Sequence, residues 1–379
     1  MPPFGISGLN SSDKKWRHLY SDQYPMNKNT PITDYSTLLD AQTQAFIHRT
    51  NAAFPDNAVS LSIAEQRQFY DAMCREFHSG YPDELHTRDY AISHFCSENS
   101  ENSENSESKY SRPLVPVREY TPALSTNRAQ QIASPHIVYL HGGGFVVGGL
   151  ESHDDICAEI SDRTGLQVTS VDYCLAPEYK YLSALNEVML VMCHLSQQNQ
   201  QPLILCGDSA GANLAAATCH AFRNQQTAKF AAASINPDAV SILGQILVYP
   251  GLGGDISKGS YIQHAHSPML TTEDVRFYSE VRCNEPGDQD NPLFAPLRDN
   301  DFSNIPPTVI VSAECDPLSD DGREYCRCIQ EAGGKAHWIN EKGLVHGYLR
   351  ARHTVKRAAK SFDRIVTAID SLADSNWPY

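Results

Sequence analysis

With 379 residues, 41% hydrophobic and 20% charged, the chain has the composition of a soluble globular protein with room for a sizeable core. A formal net charge of −15 argues against nucleic acid and anionic membrane surfaces as partners. No apolar run of about eighteen residues offers a membrane span, and Met1 to Asn10 lacks the basic patch and apolar stretch of a signal peptide.

The first thirty or so residues are polar and aromatic without a clear period. Ser36 to Ala53 then places Leu38, Leu39, Ala45, Phe46 and Ile47 at roughly helical spacing. Ser62 to Phe77 opens on Ser62-Ile63-Ala64-Glu65, a capping-box pattern, and carries Phe69, Met73 and Phe77 on one helical face. Both stretches read as amphipathic helices packed on a core, and their place in the chain permits a lid. Tyr90 to Phe95 and Leu114 to Tyr120 read as strands. Between them a Ser-Glu-Asn repeat over 97–109 cannot bury apolar area and reads as a disordered loop.

From Pro135 the pattern becomes an alternation of short apolar strands and helices. Strands are expected at His136–Leu140, Leu166–Asp172, Pro202–Cys206, Ser241–Val248, Thr308–Ala313 and Ala336–Asn340. Helices are expected at His153–Arg163, Ser183–Gln197, Ala210–Arg223, Thr272–Cys283, Asp320–Ala332 and Arg350–Asp374. The implied fold class is α/β, a mostly parallel sheet covered on both faces, with ligands beyond the carboxyl ends of the strands. The 11 cysteines show no tight framework of spacings, and Cys326-Arg327-Cys328 has no second pair to complete a zinc site. Reduced thiols in a cytoplasmic protein are the expectation, with Cys174, Cys193, Cys206 and Cys219 packed as small hydrophobes in strand-like or helix-like segments.

Three motifs carry chemistry. Cys206-Gly207-Asp208-Ser209-Ala210-Gly211 joins an apolar strand to an alanine-rich helix, and glycines on either side of Ser209 suit a strained turn that exposes a nucleophile. After the strand ending at Leu140, His141-Gly142-Gly143-Gly144-Phe145 can aim backbone N–H groups at a ligand. No lysine follows in P-loop spacing, so an oxyanion hole is the better reading: Gly143 and Gly144 from this loop, Ala210 from the turn. His141 is expected to brace the loop. A serine needs a base and an orienting acid. His346 lies in a loop, 343–348, between the last strand and the last helix. Asp316 follows the strand Thr308–Ala313 and is held there by Pro317. The candidates Asp320, Asp321, His337 and His353 fall inside helices or a strand. Ser209, Asp316 and His346 then run in the order of the α/β-hydrolases.

From about Leu114 to Asp374 the chain resembles the bacterial hormone-sensitive-lipase-like carboxylesterases, and among them the acetyl esterase group. The resemblance rests on His141 to Phe145, Ser152-His153-Asp154, Asp172-Tyr173-Cys174-Leu175-Ala176-Pro177-Glu178, Gly207 to Gly211, Asp316-Pro317-Leu318 with Asp320, and His346-Gly347. It implies a triad of Ser209, Asp316 and His346, an N-terminal helical cap over 1–85, a hydrolase domain over 86–379, and preference for short acyl chains. Three positions depart from the family pattern and bear on pocket shape: Cys174 in place of arginine, Ala212 in place of glycine, and Tyr348 in place of phenylalanine. The expected function is a serine carboxylesterase acting through an acyl-enzyme on a small-molecule ester. It would need no metal and no organic cofactor, and a homodimer is left open. An amidase or peptidase on the same triad, or a binding protein of the same fold, are the alternatives.

Overall fold

The computed structural model describes residues 33–53, 61–93, 112–123, 134–224 and 240–379. The first thirty residues and the Ser-Glu-Asn repeat lie outside them. Three helices come first: α1 (Tyr35–Leu38), α2 (Ala41–Ala52) and α3 (Ile63–Arg75). Ser36 to Ala53 is therefore not one helix. Asp34 and Asp40 each accept a backbone N–H of the following turn, so each starts its own helix. At α3 the capping box between Ser62 and Glu65 forms as the sequence pattern implies.

Eight strands make one sheet: β1 (His86–Ser93), β2 (Leu114–Thr121), β3 (His136–Leu140), β4 (Val168–Val171), β5 (Leu203–Asp208), β6 (Ile242–Val248), β7 (Thr308–Cys315) and β8 (Ala336–Val345). Their spatial order is β1-β2-β4-β3-β5-β6-β7-β8, with β1 and β2 antiparallel to their neighbours and all other pairs parallel. β3, β4 and β5 are buried along their whole length because both faces of the sheet are covered. Ile137, Tyr139, Ile204, Cys206, Val309 and Val311 face one side, where α4 (Asp154–Thr164) and the last helix lie. Val138, Leu140, Leu203, Leu205 and Ile310 face the other, beneath α5 (Ser183–Asn199) and α6 (Ala210–Arg223). The remaining helices are α7 (Ser260–Gln263), α8 (Thr272–Arg282), α9 (Ser319–Glu331) and α10 (Lys356–Ala373).

Two boundaries differ from the sequence reading in ways that matter for the site. The last strand, expected to end at Asn340, runs on through Glu341, Lys342 and Gly343 to Val345. Glu314 accepts from Lys342 Nζ and the Gly343 N–H, Glu341 pairs with Arg364, and the β7/β8 register shifts between Ala313 and Cys315. Much of 343–348 is thus strand, and His346 is the first residue past its end. The helix expected from Arg350 begins only at Lys356, after a short 3-10 turn over Tyr348–Ala351. Cys193 and Cys206 lie in α5 and β5 and Cys219 in α6, all buried, whereas Cys174 lies in the segment after β4.

Candidate active site

The turn from β5 into α6 depends on two glycines. A Cβ on Gly211 would overlap the Leu140 carbonyl, and one on Gly207 would sit 2.7 Å from the carbonyl carbon of Gly211. Without side chains there, the start of α6 can press against the end of β3. Ser209 itself sits at φ 54°, ψ −116°, ahead of the helix. Such backbone strain costs roughly 1–3 kcal/mol and holds the hydroxyl out at the carboxyl edge of the sheet.

There Ser209 Oγ lies 2.8 Å from His346 Nε2, and His346 Nδ1 lies 2.7 Å from Asp316 Oδ2. With the proton on Nδ1, that nitrogen donates to the carboxylate and Nε2 accepts the serine O–H. Asp316 is fully buried, and its Oδ1 accepts the Leu318 N–H at 2.9 Å. Tyr249 packs its ring 4.7 Å from the imidazole, limiting rotation of the base. The rejected candidates sit elsewhere. His337 stacks on Tyr379, His353 lies 3.1 Å from Glu159, Asp320 accepts the Ser260 N–H, and Asp321 accepts from Leu252.

Beside the serine runs the loop 141–145. Gly143 adopts φ 125°, and a Cβ there would overlap the Val147 carbonyl, so only glycine fits. The N–H groups of Gly143, Gly144 and Ala210 have no backbone or side-chain acceptor among the described residues. That of Ala210 is one of the free donors of the first helical turn. Donors of this kind, next to a nucleophile, can stabilise charge developing on a carbonyl oxygen. His141 turns inward: it is buried, stacks on Tyr173 at 4.2 Å between ring centroids, and contacts the Gly142 carbonyl oxygen through Nδ1 at 2.9 Å. Burial pushes its pKa down to about 3, which keeps it neutral and suits it to bracing the loop.

Sequence reasoning treated Asp208 only as a position in the serine motif, yet it knits the site together. Its Oδ1 accepts from Tyr139 Oη at 2.9 Å and from the Gly142 N–H at 3.0 Å, and lies 3.2 Å from His153 Nε2; its Oδ2 accepts from Tyr249 Oη at 3.2 Å. One carboxylate thereby ties the serine turn, the glycine loop and the tyrosine beside His346. Burial alone would raise its pKa, but the facing His153 and the Tyr139 hydroxyl outweigh that and hold it at about 2. Arg67 of α3 was also missed. It forks onto Glu178 at 2.7 and 3.0 Å and donates to the carbonyls of Val146 and Ala176. Nothing local in the sequence marks a surface arginine whose acceptors lie some hundred residues away.

The family of the alpha/beta hydrolase fold matches residues 137–350, more than half of the chain and the whole span from β3 to past His346. The chain belongs to the alpha/beta hydrolases, in their hormone-sensitive-lipase-like carboxylesterase branch. Among relatives of this branch, an ethyl acetate hydrolase of Pseudomonas putida is 28% identical over 261 residues, covering 67% of this chain and 78% of that protein. The crystal structure of DphMB1 superposes with a TM-score of 0.69 at 27% identity, over 88% of this chain and 99% of the other. An esterase of Pyrobaculum calidifontis shares the fold at a TM-score of 0.71 and 23% identity, over 88% of this chain and 99% of its own. Among the described residues no helix is long and apolar enough to cross a membrane.

Proposed function

We propose that this alpha/beta hydrolase is a serine carboxylesterase of short acyl chains that works through an acyl-enzyme. The observation that carries this reading is the pair of short contacts joining Ser209, His346 and Asp316, with the unpaired N–H groups of Gly143, Gly144 and Ala210 alongside. His346 Nε2 takes the proton as Ser209 Oγ attacks the ester carbonyl. Asp316 keeps the other proton on Nδ1 and favours the imidazolium. The three N–H groups receive the oxyanion, each contributing about 3 kcal/mol to the transition state. His346 then returns the proton to the leaving alcohol and activates a water that frees the acid. A short acyl chain accords with the ethyl acetate hydrolase relative. We assign the described helices α1 to α3, within the N-terminal region expected as a cap, to that role, because Ile63 and Tyr70 of α3 pack on Val146, Val147 and Ala176 next to the glycine loop. The buried free thiols fit a reducing cytoplasm.

Hydrolysis of p-nitrophenyl acetate, octanoate and laurate by wild type and Ser209→Ala tests the reading. Turnover fastest on acetate, falling at least about 10⁴-fold in the variant, is expected. A folded wild-type protein that cleaves anilides but none of these esters would replace it with an amidase.

A further inference from the structure

Arg282 closes α8 and is only 7% exposed, yet no carboxylate pairs with it among the described residues. The contrast is Arg352, equally buried, whose guanidinium meets Asp155 and Glu159 at 2.6 Å each. Burying a lone cation is costly, so a site that keeps one needs a reason. The Arg282 guanidinium is packed between two rings, 4.1 Å from the centroid of Phe145 and 3.6 Å from that of Phe294. Its Nη1 donates to Asn213 Oδ1 and its Nη2 to the Phe294 carbonyl, while Nε is buried without an acceptor. Burial lowers its pKa to about 10, which leaves it charged at neutral pH.

A second buried group there also lacks a partner. Tyr181, whose N–H donates to the Arg282 carbonyl, has a buried phenolic oxygen with no hydrogen bond. Both residues line a small pocket together with Phe145, Cys174, Lys180 and Asn213. Two lining residues lead back along the chain to the reacting serine: Phe145 directly follows the three glycines, and Asn213 stands four residues after Ser209 on α6, about 6 Å along the helix. The pocket's polar lining is the Arg282 guanidinium, the phenols of Tyr179 and Tyr181, Lys180 and Asn213, with no carboxylate among the lining residues.

We propose that this pocket is a carboxylate subsite, and that the preferred substrates are half-esters of short dicarboxylic acids, succinyl or glutaryl in length. Arg282 is tied to Asn213, one helical turn past Ser209, so a short acyl chain leads from the ester carbonyl towards it. Arginine and tyrosine then supply the two oxygens of the acid with charge-assisted hydrogen bonds. The proposal rests on ester cleavage at Ser209.

The test measures kcat/KM for mono-p-nitrophenyl glutarate against p-nitrophenyl butyrate in wild type, Arg282→Met, Arg282→Lys and Tyr181→Phe. Wild type should favour the anionic ester, and Arg282→Met should lower the glutarate-to-butyrate ratio at least tenfold, chiefly through KM, with Arg282→Lys between. Tyr181→Phe removes a hydroxyl that has no partner in the free protein, so it should lower the ratio without lowering Tm. A ratio unmoved by all three variants would overturn the subsite and leave Arg282 a packing residue. Calorimetric titration of Ser209→Ala with sodium glutarate separates the two readings. Saturable binding of glutarate but not glutaramide, with no turnover of any ester by wild type, would keep the anion site and discard the esterase. Absence of glutarate binding in an active esterase would discard the site alone.

Discussion

The floor beneath Ser209 and the roof above it are built differently. In the floor, Asp208 holds Tyr139, Gly142 and Tyr249 by hydrogen bonds and faces His153, and Asp316 holds His346 and Leu318. In the roof, α2 and α3 lie on the hydrolase through Phe46, Ile63, Tyr70 and Met73, and ion pairs such as Arg67 with Glu178 and Arg357 with Asp40 run through half-exposed side chains at the edge. A dense, satisfied polar network fixes geometry, because every group in it has one place to be. An apolar contact is tolerant of sliding. The floor holds each of its groups in one place, and the roof is less tightly specified.

Changes in the floor should therefore be severe and changes in the roof mild. Asp316→Asn keeps the shape but permits the wrong imidazole tautomer, so kcat on p-nitrophenyl acetate should fall about 10⁴-fold while the circular-dichroism spectrum is unchanged. Asp208→Ala strands two buried hydroxyls and the Gly142 N–H, and urea unfolding should show a loss of about 3–5 kcal/mol. The pH dependence of stability sharpens the same point. Asp208 drops from 3.8 to about 2 on folding, so its share of stability is full above pH 4 and lost as pH falls towards 2. That share is about 2 kcal/mol, and acid titration of wild type against Asp208→Asn should differ by that much across this window. In the roof, Ser62→Ala breaks one helix cap, and a loss of about 1 kcal/mol with kcat retained is expected. A loss of kcat comparable to that of Asp316→Asn would show that roof and floor are not separate.

The sheet and its central elements were legible because covered parallel strands are short apolar runs between helices with strong periodicity. β3 and α6 begin and end where the pattern places them. The positions now joined at Ser209, Asp316 and His346 could be picked out because each follows a strand end beside a glycine or proline. What escaped were groups whose meaning is made by distant partners. Asp208 reads as filler in a pentapeptide until Tyr139 and Tyr249 converge on it. Nothing near Arg67 or Arg282 in the chain tells that one spans two loops and the other is buried without an acid. The charged run Glu341 to Gly343 misled for the same reason, since its strand character depends on Glu314 and Arg364.

Arg67 links events that are usually discussed apart. One guanidinium on α3 grips the backbone at Val146, just past the glycine loop, and at Ala176, on the segment leading to the Arg282 pocket. α3 therefore cannot swing outward without letting go of both. Cap helix and glycine loop share one tether, and a change that frees α3 from Arg67 also removes a tie on the segment next to Gly143 and Gly144.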